Sequence, residues 1–269
     1  MADTLHIDGV ALSSRFFLGS AGYPSPHILQ DAIRSAETSV LTVGLKRTVL
    51  TSKSGDNGFI AQALATAQAQ GAHLLPNTAG CRSAREAIAL AQMARELYGT
   101  RWIKLEVVGD EHTLQPDPFE LLIAATALVG DGFTVFPYCT EDLVMGRRLL
   151  DVGCAVLMPW GAPIGSGQGL VNLHGLRTLR ERLPEAVLIV DAGLGAPSQA
   201  AQALELGFDA VLVNSAVAQA GDPVAMAAAF RDAVRAGRQA WRAGLMAPQD
   251  FAVASTPVSG HAFLLGDAA

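Results

Sequence analysis

Short apolar runs alternate with longer amphipathic or Ala-rich stretches along most of the chain. A short, nearly continuous apolar run predicts a buried strand, and apolar residues at helical spacing predict a helix. Eight strands are predicted, over residues 16–20, 40–45, 73–76, 102–107, 133–138, 155–159, 187–191 and 210–214. Helices are predicted between and after them, over about 25–36, 59–70, 83–98, 118–129, 141–150, 173–182, 197–206 and 223–243.

Both ends of the chain depart from this alternation. Residues 4–14 contain the turn pair Asp8-Gly9 between apolar residues, which predicts a short antiparallel hairpin before the first buried strand. After Gly244 the chain contains Pro248, Pro257 and several small residues, and an irregular tail is predicted. We therefore expect one domain over residues 1–244 and a tail over residues 245–269.

The regular alternation of strands and helices indicates the α/β class. Nearly continuous apolar strands are typical of a parallel sheet covered by helices, and eight strand–helix units predict a (β/α)8 TIM barrel with a short N-terminal hairpin. A doubly wound open sheet is the alternative. It would carry a Gly-rich turn after its first strand, and Gly19-Ser20-Ala21-Gly22 is too weak a match.

Composition narrows the function classes. The 269-residue chain is 50% hydrophobic and carries a net charge of −6, so it offers no basic face for nucleic acid. No apolar run is long enough to cross a membrane, and the first residues lack the order of a signal peptide, so a cytoplasmic protein is expected. Cys81, Cys139 and Cys154 are widely spaced and show no disulfide or metal pattern, and we interpret Cys81 and Cys154 as packing residues in preference to nucleophiles.

The fourth predicted strand, 102–107, carries a candidate nucleophile. Its period-two alternation places Trp102, Lys104 and Glu106 on one face. If that face lines an enclosed interior, burial favours the neutral amine of Lys104 while Glu106 favours the ammonium. A neutral lysine attacks carbonyl carbon. The alternative is a partly exposed strand with a surface ion pair.

Gly-rich connections follow the last three predicted strands, where barrel active sites lie. They comprise residues 161–169, the segment Asp191-Ala192-Gly193-Leu194-Gly195, and the pair Asn214-Ser215. Glycines let backbone amides approach an anion, and together these loops predict a phosphate site. Asp191, at the end of the seventh strand, is either a general acid/base or a structural carboxylate.

Two further pairs leave alternatives open. Asn77 and Thr78 follow the third predicted strand and are either turn residues or polar groups at the barrel mouth. Lys46 and Arg47 end the second strand and are either anion ligands or, as we favour slightly, solvated charges.

Five segments resemble the thiazole synthase family of thiamine biosynthesis. They are long and low in degeneracy, and the resemblance extends from the hairpin to about Gly244. The segments are residues 75–81 (LPNTAGC), 102–107 (WIKLEV), 109–118 (with GD and TLQPDP), 158–167 (MPWGAPIGSG) and 190–193 (VDAG).

The resemblance implies a (β/α)8 barrel in which Lys104 forms an imine with the ketone of 1-deoxy-D-xylulose 5-phosphate. It implies that Glu106 and Asp191 move protons, with no cofactor or metal. It implies sulfur from the C-terminal thiocarboxylate of a small ubiquitin-like carrier protein, a C–N unit from dehydroglycine, and a homo-oligomer, often a tetramer. The family's sugar-phosphate contacts match Gly165, Ala192, Gly193, Asn214 and Ser215.

The chain departs from the family pattern at a few positions. Ser215 replaces a threonine and keeps the hydroxyl, whereas Gly44 and Lys46 stand where alanine and arginine are expected. Residues 51–72 do not match the usual sequence of the family in this region, which puts in doubt any contact of that segment with the carrier protein or a neighbouring subunit.

Two other functions remain as alternatives. One is a Schiff-base lyase or isomerase acting on another sugar phosphate, which would use Lys104 and the same loops without a sulfur donor. The other is a non-catalytic phosphate-binding subunit, which would be marked by loss of the lysine or an acid, and neither is lost.

Overall fold

The computed structural model describes residues 3–45 and 57–253, with side chains in the second range from residue 61. Eight parallel strands close into a barrel in the order β10-β3-β4-β5-β6-β7-β8-β9, and β1 and β2 form a separate antiparallel hairpin. The strands are β1 Leu5–Ile7, β2 Val10–Leu12, β3 Phe16–Gly19, β4 Val40–Gly44, β5 His73–Asn77, β6 Trp102–Leu105, β7 Thr134–Cys139, β8 Val156–Pro159, β9 Val187–Asp191 and β10 Ala210–Val213. The predicted TIM barrel and its N-terminal hairpin are confirmed.

Helices cover the outside of the barrel between successive strands. They are α1 Pro26–Ala36, α2 Asn57–Ala69, α3 Ala84–Tyr98, α4 Pro118–Gly130, α5 Leu143–Asp151, α6 Leu173–Arg182, α7 Pro197–Glu205, α8 Ser215–Ala218 and α9 Pro223–Ala243. Several begin where the sequence provides a cap. The Asp117 carboxylate accepts hydrogen bonds from the backbone of Phe119 and Glu120, and Pro118 follows as the first helical residue.

Two apolar layers hold the barrel together. The interior layer includes Phe17, Leu75, Trp102, Phe136 and Met158, and the layer between strands and helices contains the alternate residues of the same strands. On β6, Ile103 and Leu105 face the helices and Trp102 faces the interior. The predicted inward direction of the Trp102–Lys104 face therefore holds.

The N-terminal hairpin closes the amino-terminal end of the barrel. Leu5, Ile7 and Leu12 belong to the interior layer. The Asp8 carboxylate, in the hairpin turn, accepts hydrogen bonds from Arg101 and Thr134 at the starts of β6 and β7. One end of the barrel interior is thus filled, and the opposite end, at the carboxyl ends of the strands, holds the open cavity.

The structure differs from the predicted elements at the end of one strand and in one additional short helix. The strand predicted over 102–107 ends at Leu105, because the chain turns away from the ladder there and Thr78 takes over the backbone hydrogen bonds of Glu106. The short helix α8, directly after β10, was not predicted; four residues are too few to show a helical period. No helix within the described residues is long and apolar enough to span a membrane.

The division into a domain over residues 1–244 and a tail stays a prediction. The last helix ends at Ala243, residues 245–253 are exposed, and the remaining tail residues lie outside the described part of the chain.

Candidate active site

A cavity of about 740 Å³ opens at the carboxyl ends of the strands. That volume is in the usual range for a small-molecule site, and the position is the one that barrel enzymes use. The cavity is lined by every residue that the sequence indicated as catalytic or phosphate-binding: Lys104, Glu106, Gly165, Asp191, Ala192, Gly193, Asn214 and Ser215.

Three ionisable side chains meet on the cavity wall. Lys104 Nζ lies 2.6 Å from Asp191 Oδ2 and 3.4 Å from Glu106 Oε1. All three residues are at most 6% exposed. Because β6 and β9 are three positions apart around the barrel, the lysine reaches across the interior to Asp191 while Glu106 follows it on its own chain segment.

Burial and mutual charge determine how these groups titrate. Burial lowers the pKa of Lys104, but Asp191 and Glu106 raise it more, so its pKa lies above the ordinary value. Burial raises the pKa of Glu106, and the charge of Asp191 raises it further against the opposing effect of Lys104. The carboxyl of Glu106 therefore keeps a proton to higher pH than an ordinary glutamate does.

The direction for Lys104 corrects one sequence-based expectation. Enclosure was expected to favour the neutral amine over the pull of Glu106. The structure adds Asp191, the nearer of the two carboxylates, and two acids around one ammonium outweigh the burial of Lys104. The resting lysine is thus charged, and a reaction at its nitrogen begins with proton transfer to a neighbour.

Thr78 holds Glu106 in place beyond the end of β6. Its hydroxyl oxygen accepts a hydrogen bond from Glu106 N and donates one to Glu106 O, each at 2.8 Å. Asn77 lines the cavity, donates to Thr42 Oγ1 and accepts from Ala79 N. The sequence left open whether Asn77 and Thr78 are turn residues or polar groups at the barrel mouth. Asn77 is both, whereas Thr78 is buried and holds the backbone of Glu106.

The Gly-rich loops after β8, β9 and β10 lie against one another. Gly193 has φ +78°, and a Cβ built on it would lie 2.4 Å from Ala162 N. A Cβ on Gly165 would lie 3.8 Å from Ser215 Oγ, so the loops after β8 and β10 meet at the cavity. Ala192 also has positive φ, +67°, which is unusual for a residue with a side chain. Backbone of restricted conformation thus lines this side of the cavity.

Asn214, which follows β10, contacts the end of the neighbouring strand β3 and the loop after it. Its carboxamide oxygen accepts a hydrogen bond from Ala21 N at 3.1 Å. A Cβ on Gly19 would lie 2.4 Å from Asn214 Cβ, so only glycine fits beside it. The side chain thereby fixes the loop after β3, which forms another wall of the cavity.

Thr42 and Tyr138 are among the residues near the site that were not singled out from the sequence. Thr42 lines the cavity at β4, and Tyr138, on β7, lies inside the barrel beside Lys104. Both are polar residues near the carboxyl end of a predicted strand, a position shared with Lys104 and Asp191, and that signal could have found them.

The remaining candidates divide into two groups. All three cysteines are buried thiols, and burial raises the pKa of Cys139 above its usual range and that of Cys154 to about 12, opposite to what a nucleophile needs. Lys46 and Arg47 lie outside the described residues. Over residues 3–45 and 57–253, no group of three or more His, Cys, Asp or Glu side chains is placed to hold a metal ion.

The family model of the thiazole biosynthesis protein ThiG matches residues 6–257. The chain belongs to this family. The function class expected from the sequence, a sulfurtransferase-type thiazole synthase of thiamine biosynthesis, is thereby confirmed, and neither alternative function is favoured.

Curated relatives and a solved structure agree with membership of the ThiG family. A thiazole synthase of Coxiella burnetii (strain RSA 331) is 54% identical over 259 residues, covering 96% of this chain and 98% of the relative. One of Rhodopseudomonas palustris (strain BisB18) is 58% identical over 255 residues, covering 95% and 96%. A crystal structure of the Amycolatopsis orientalis BexX/CysO complex superimposes with a TM-score of 0.80 at 29% identity, covering 92% of this chain and 98% of that one.

Proposed function

We propose that this ThiG-family enzyme forms thiazole phosphate through an imine between Lys104 and the ketone of 1-deoxy-D-xylulose 5-phosphate. The observation that carries the proposal is the Lys104 ammonium, which lines a substrate-sized cavity and contacts two buried carboxylates. A lysine serves as a nucleophile for a carbonyl when a neighbouring base takes its proton.

Asp191 is the group that activates the lysine. Its Oδ2 lies 2.6 Å from Lys104 Nζ, which is a short distance for proton transfer. The neutral amine then adds to the ketone carbon, and the carbonyl oxygen leaves as water once two protons have been delivered to it. Both protons come from the cluster, one of them the proton that the lysine gave up.

Glu106 is the general acid/base at the carbons next to the imine. The raised pKa of Glu106 keeps a protonated carboxyl available to the departing oxygen. Once ionised, the same carboxylate removes a proton from the carbon beside the imine, whose nitrogen acts as the electron sink. Tautomerisation then needs no metal or organic cofactor.

The sugar phosphate binds on the Gly-rich side of the cavity. Gly165, Ala192, Gly193 and Ser215 present backbone groups and one hydroxyl there. Among the described residues that line the cavity, Lys104 is the sole cation, so the phosphate is held mainly by backbone amides and hydroxyls. Asn214 contributes by fixing the loop around Ala21.

The other substrates follow the family resemblance. Sulfur comes from the thiocarboxylate terminus of a small ubiquitin-like carrier, and dehydroglycine supplies the C–N unit. The superimposed BexX structure was solved as a complex with a second protein, CysO, which supports a protein partner for this fold. A cytoplasmic location stays a prediction.

A homo-oligomer, with a tetramer as the form implied by the resemblance, is supported by the outer surface. Five large apolar side chains on the adjacent helices α3, α4 and α5 are 49–70% exposed: Met93, Leu97, Phe119, Ile123 and Val144. Apolar patches of this kind mark protein–protein interfaces.

Borohydride reduction tests the imine. Wild-type protein is incubated with 1-deoxy-D-xylulose 5-phosphate, reduced, and analysed by intact mass and peptide mapping. We expect one sugar phosphate added per chain, on the peptide that contains Lys104. Lys104→Arg keeps the positive charge between the two acids and should take up no label.

Two outcomes contradict the imine mechanism. One is wild-type protein that is not labelled although it makes thiazole phosphate, and the other is label that persists in Lys104→Arg.

A further inference from the structure

Tyr138 places a phenol beside the charged cluster, and its hydroxyl has no hydrogen-bond partner. The residue is 1% exposed, on the inward face of β7, and Lys104 Nζ lies 5.9 Å from the centre of its ring. Within the described part of the chain, no group accepts from or donates to its hydroxyl oxygen. An unsatisfied buried hydroxyl destabilises a protein, so its presence calls for a reason.

The neighbours of Tyr138 are the reacting groups. The charges of Asp191 and Glu106 both raise its pKa, as does burial, which places the phenol within the electrostatic reach of the two carboxylates. Lys104 lies beside the ring, and the thiol of Cys139, the next residue on β7, also raises the pKa of Tyr138 although it belongs to the layer facing the helices. The phenol therefore stays protonated at any physiological pH and remains a hydrogen-bond donor.

The resting cluster and the cluster after tautomerisation of the imine differ in which groups carry charge. At rest, the Lys104 ammonium is shared by two carboxylates. Attack on the ketone requires the neutral amine, and the tautomerised intermediate no longer carries an ammonium at that nitrogen. One acid of the pair then holds the proton taken from carbon, and the other carboxylate is left ionised without the cation that balanced it. A buried carboxylate without a partner is strongly destabilised.

We infer that Tyr138 is a positioning residue whose hydroxyl donates to the ionised carboxylate of the Asp191–Glu106 pair when the Lys104 imine tautomerises and its nitrogen loses the positive charge. The inference rests on the proposed function, since it assigns the idle donor to a state that only the imine creates. Tyr138 does not line the cavity, so it acts on the acids and leaves the substrate untouched. Its ring meanwhile stays near the lysine nitrogen, where a cation is favoured.

Tyr138→Phe isolates the hydroxyl, because the ring and its packing stay. We expect borohydride trapping on Lys104 to reach the wild-type extent and KM for the sugar phosphate to be unchanged. We expect kcat for thiazole phosphate to fall roughly tenfold, the usual size of one lost hydrogen bond to a charged group. Without the donor the base form of the acids is harder to reach, so the acidic limb of the kcat–pH profile should move to higher pH.

Stability separates this role from a structural one. Removing an unsatisfied buried hydroxyl should leave the melting temperature of Tyr138→Phe unchanged or raise it. Tyr98→Phe is the matched control: its hydroxyl is also buried and unpartnered, but it lies at the end of α3, outside the cavity lining. Tyr98→Phe should keep kcat and the pH profile of the wild type.

A second measurement covers the case in which Tyr138→Phe fails to fold. Protein is labelled with 3-fluorotyrosine, and the three tyrosine signals are assigned with Tyr98→Phe and Tyr23→Phe. Addition of 1-deoxy-D-xylulose 5-phosphate should shift the Tyr138 fluorine signal in wild-type protein and leave it in place in Lys104→Arg.

The outcomes distinguish the imine chemistry of Lys104 from the role of Tyr138. If wild-type Lys104 cannot be trapped, the proposed function fails. If trapping succeeds but Tyr138→Phe keeps kcat within twofold and the acidic limb unmoved, or the fluorine signal does not respond to substrate, the role of Tyr138 is overturned.

Discussion

Glu106 is the residue at which catalysis and stability oppose each other. When all three groups of the cluster are ionised, two carboxylates share one ammonium and the buried site carries a net negative charge. The raised pKa of Glu106 expresses this imbalance. A general acid/base gains from it, because a raised pKa lets the carboxyl donate a proton at a higher pH than an ordinary glutamate.

Glu106→Gln should therefore stabilise the protein while impairing turnover. The folded-state pKa of Glu106 lies above the reference value of 4.5, so its ionisation opposes folding as the pH rises from about 4.5 through the folded pKa. At pH 8 we expect the free energy of unfolding of the variant to exceed that of the wild type by about 1 kcal/mol or more, with little difference at pH 4.

Urea unfolding at the two pH values measures this difference. Glu96→Gln, at an exposed position of α3, is the control and should change stability by less than about 0.5 kcal/mol at either pH. A Glu106→Gln protein that is less stable than wild type at pH 8 would show that the charge of Glu106 is well compensated.

The residues of the cluster were foreseeable to different degrees. Period-two alternation placed Lys104 and Glu106 together, because neighbours on one strand face are fixed by local geometry. The 2.6 Å contact between Lys104 and Asp191 depends on barrel closure and side-chain rotamers, which no local pattern encodes. The sequence alone favoured a lowered pKa for an enclosed Lys104, and the contact with Asp191 is the reason that its pKa is instead raised.

At the scale of elements, the loop between β9 and α7 is the most constrained part of the cavity wall. Ala192 and Gly193 both have positive φ, yet only the second is a glycine. A side chain in the left-handed region is unfavourable by about 1–2 kcal/mol. Ala192 keeps this unfavourable conformation next to the candidate site, and we infer that the site needs the backbone of Ala192 in that orientation.

Exchanges at these two positions should have opposite effects. Gly193→Ala combines positive φ with a Cβ 2.4 Å from Ala162 N, so we expect a loss of about 2 kcal/mol or more and a raised KM for the sugar phosphate. Ala192→Gly removes the strain, and we expect stability to be unchanged or up to about 1 kcal/mol higher.

Thermal unfolding measures the stability of both variants, and steady-state kinetics measures their KM for the sugar phosphate. Equal melting temperatures for wild type and Gly193→Ala would mean that the loops after β8 and β9 move apart at little cost in free energy.

The elements themselves were largely predictable, and the reason is physical. Most strands of the barrel are nearly continuous apolar runs, and several helices begin at a capping residue, such as Asp117 before α4. The exceptions are short: β6 ends before Glu106, and α8 has four residues. At that length the chain's path depends on tertiary partners, such as Thr78 at Glu106.

For the whole molecule, five of the eleven large apolar side chains that are exposed among the described residues lie on one side of the barrel, and the other six lie at Val171, Trp241 and in the segment after α9. Helices α3, α4 and α5 succeed one another around it and carry the five exposed side chains from Met93 to Val144. Such a surface is typical of a face that a second copy covers. The sequence showed that apolar residues were abundant, but their grouping on one side follows only from the order of the helices around the barrel.

Phe119→Glu combined with Ile123→Glu should disrupt the oligomer. Both side chains are more than half exposed on α4, at 70% and 56%, so the monomer should fold normally while charge repulsion opposes association. We expect light scattering after size exclusion to give a smaller species than the wild type, with similar circular dichroism.

Ala236→Glu is the control for this experiment. It adds a charge at an exposed position of α9, on the far side of the barrel from α4, and should leave the oligomer intact. An unchanged mass for the α4 variant would place the subunit contacts elsewhere.

The barrel is closed between its first and last strands, β3 and β10, where Asn214 packs against Gly19 and binds Ala21. During synthesis β10 is the last of these strands to leave the ribosome, so the sheet keeps two open edges until then. Water therefore reaches Lys104 and its carboxylates throughout translation. A nascent chain that stops before residue 210 has the lysine in a hydrated state, and we expect it to react with ketones no faster than any surface lysine.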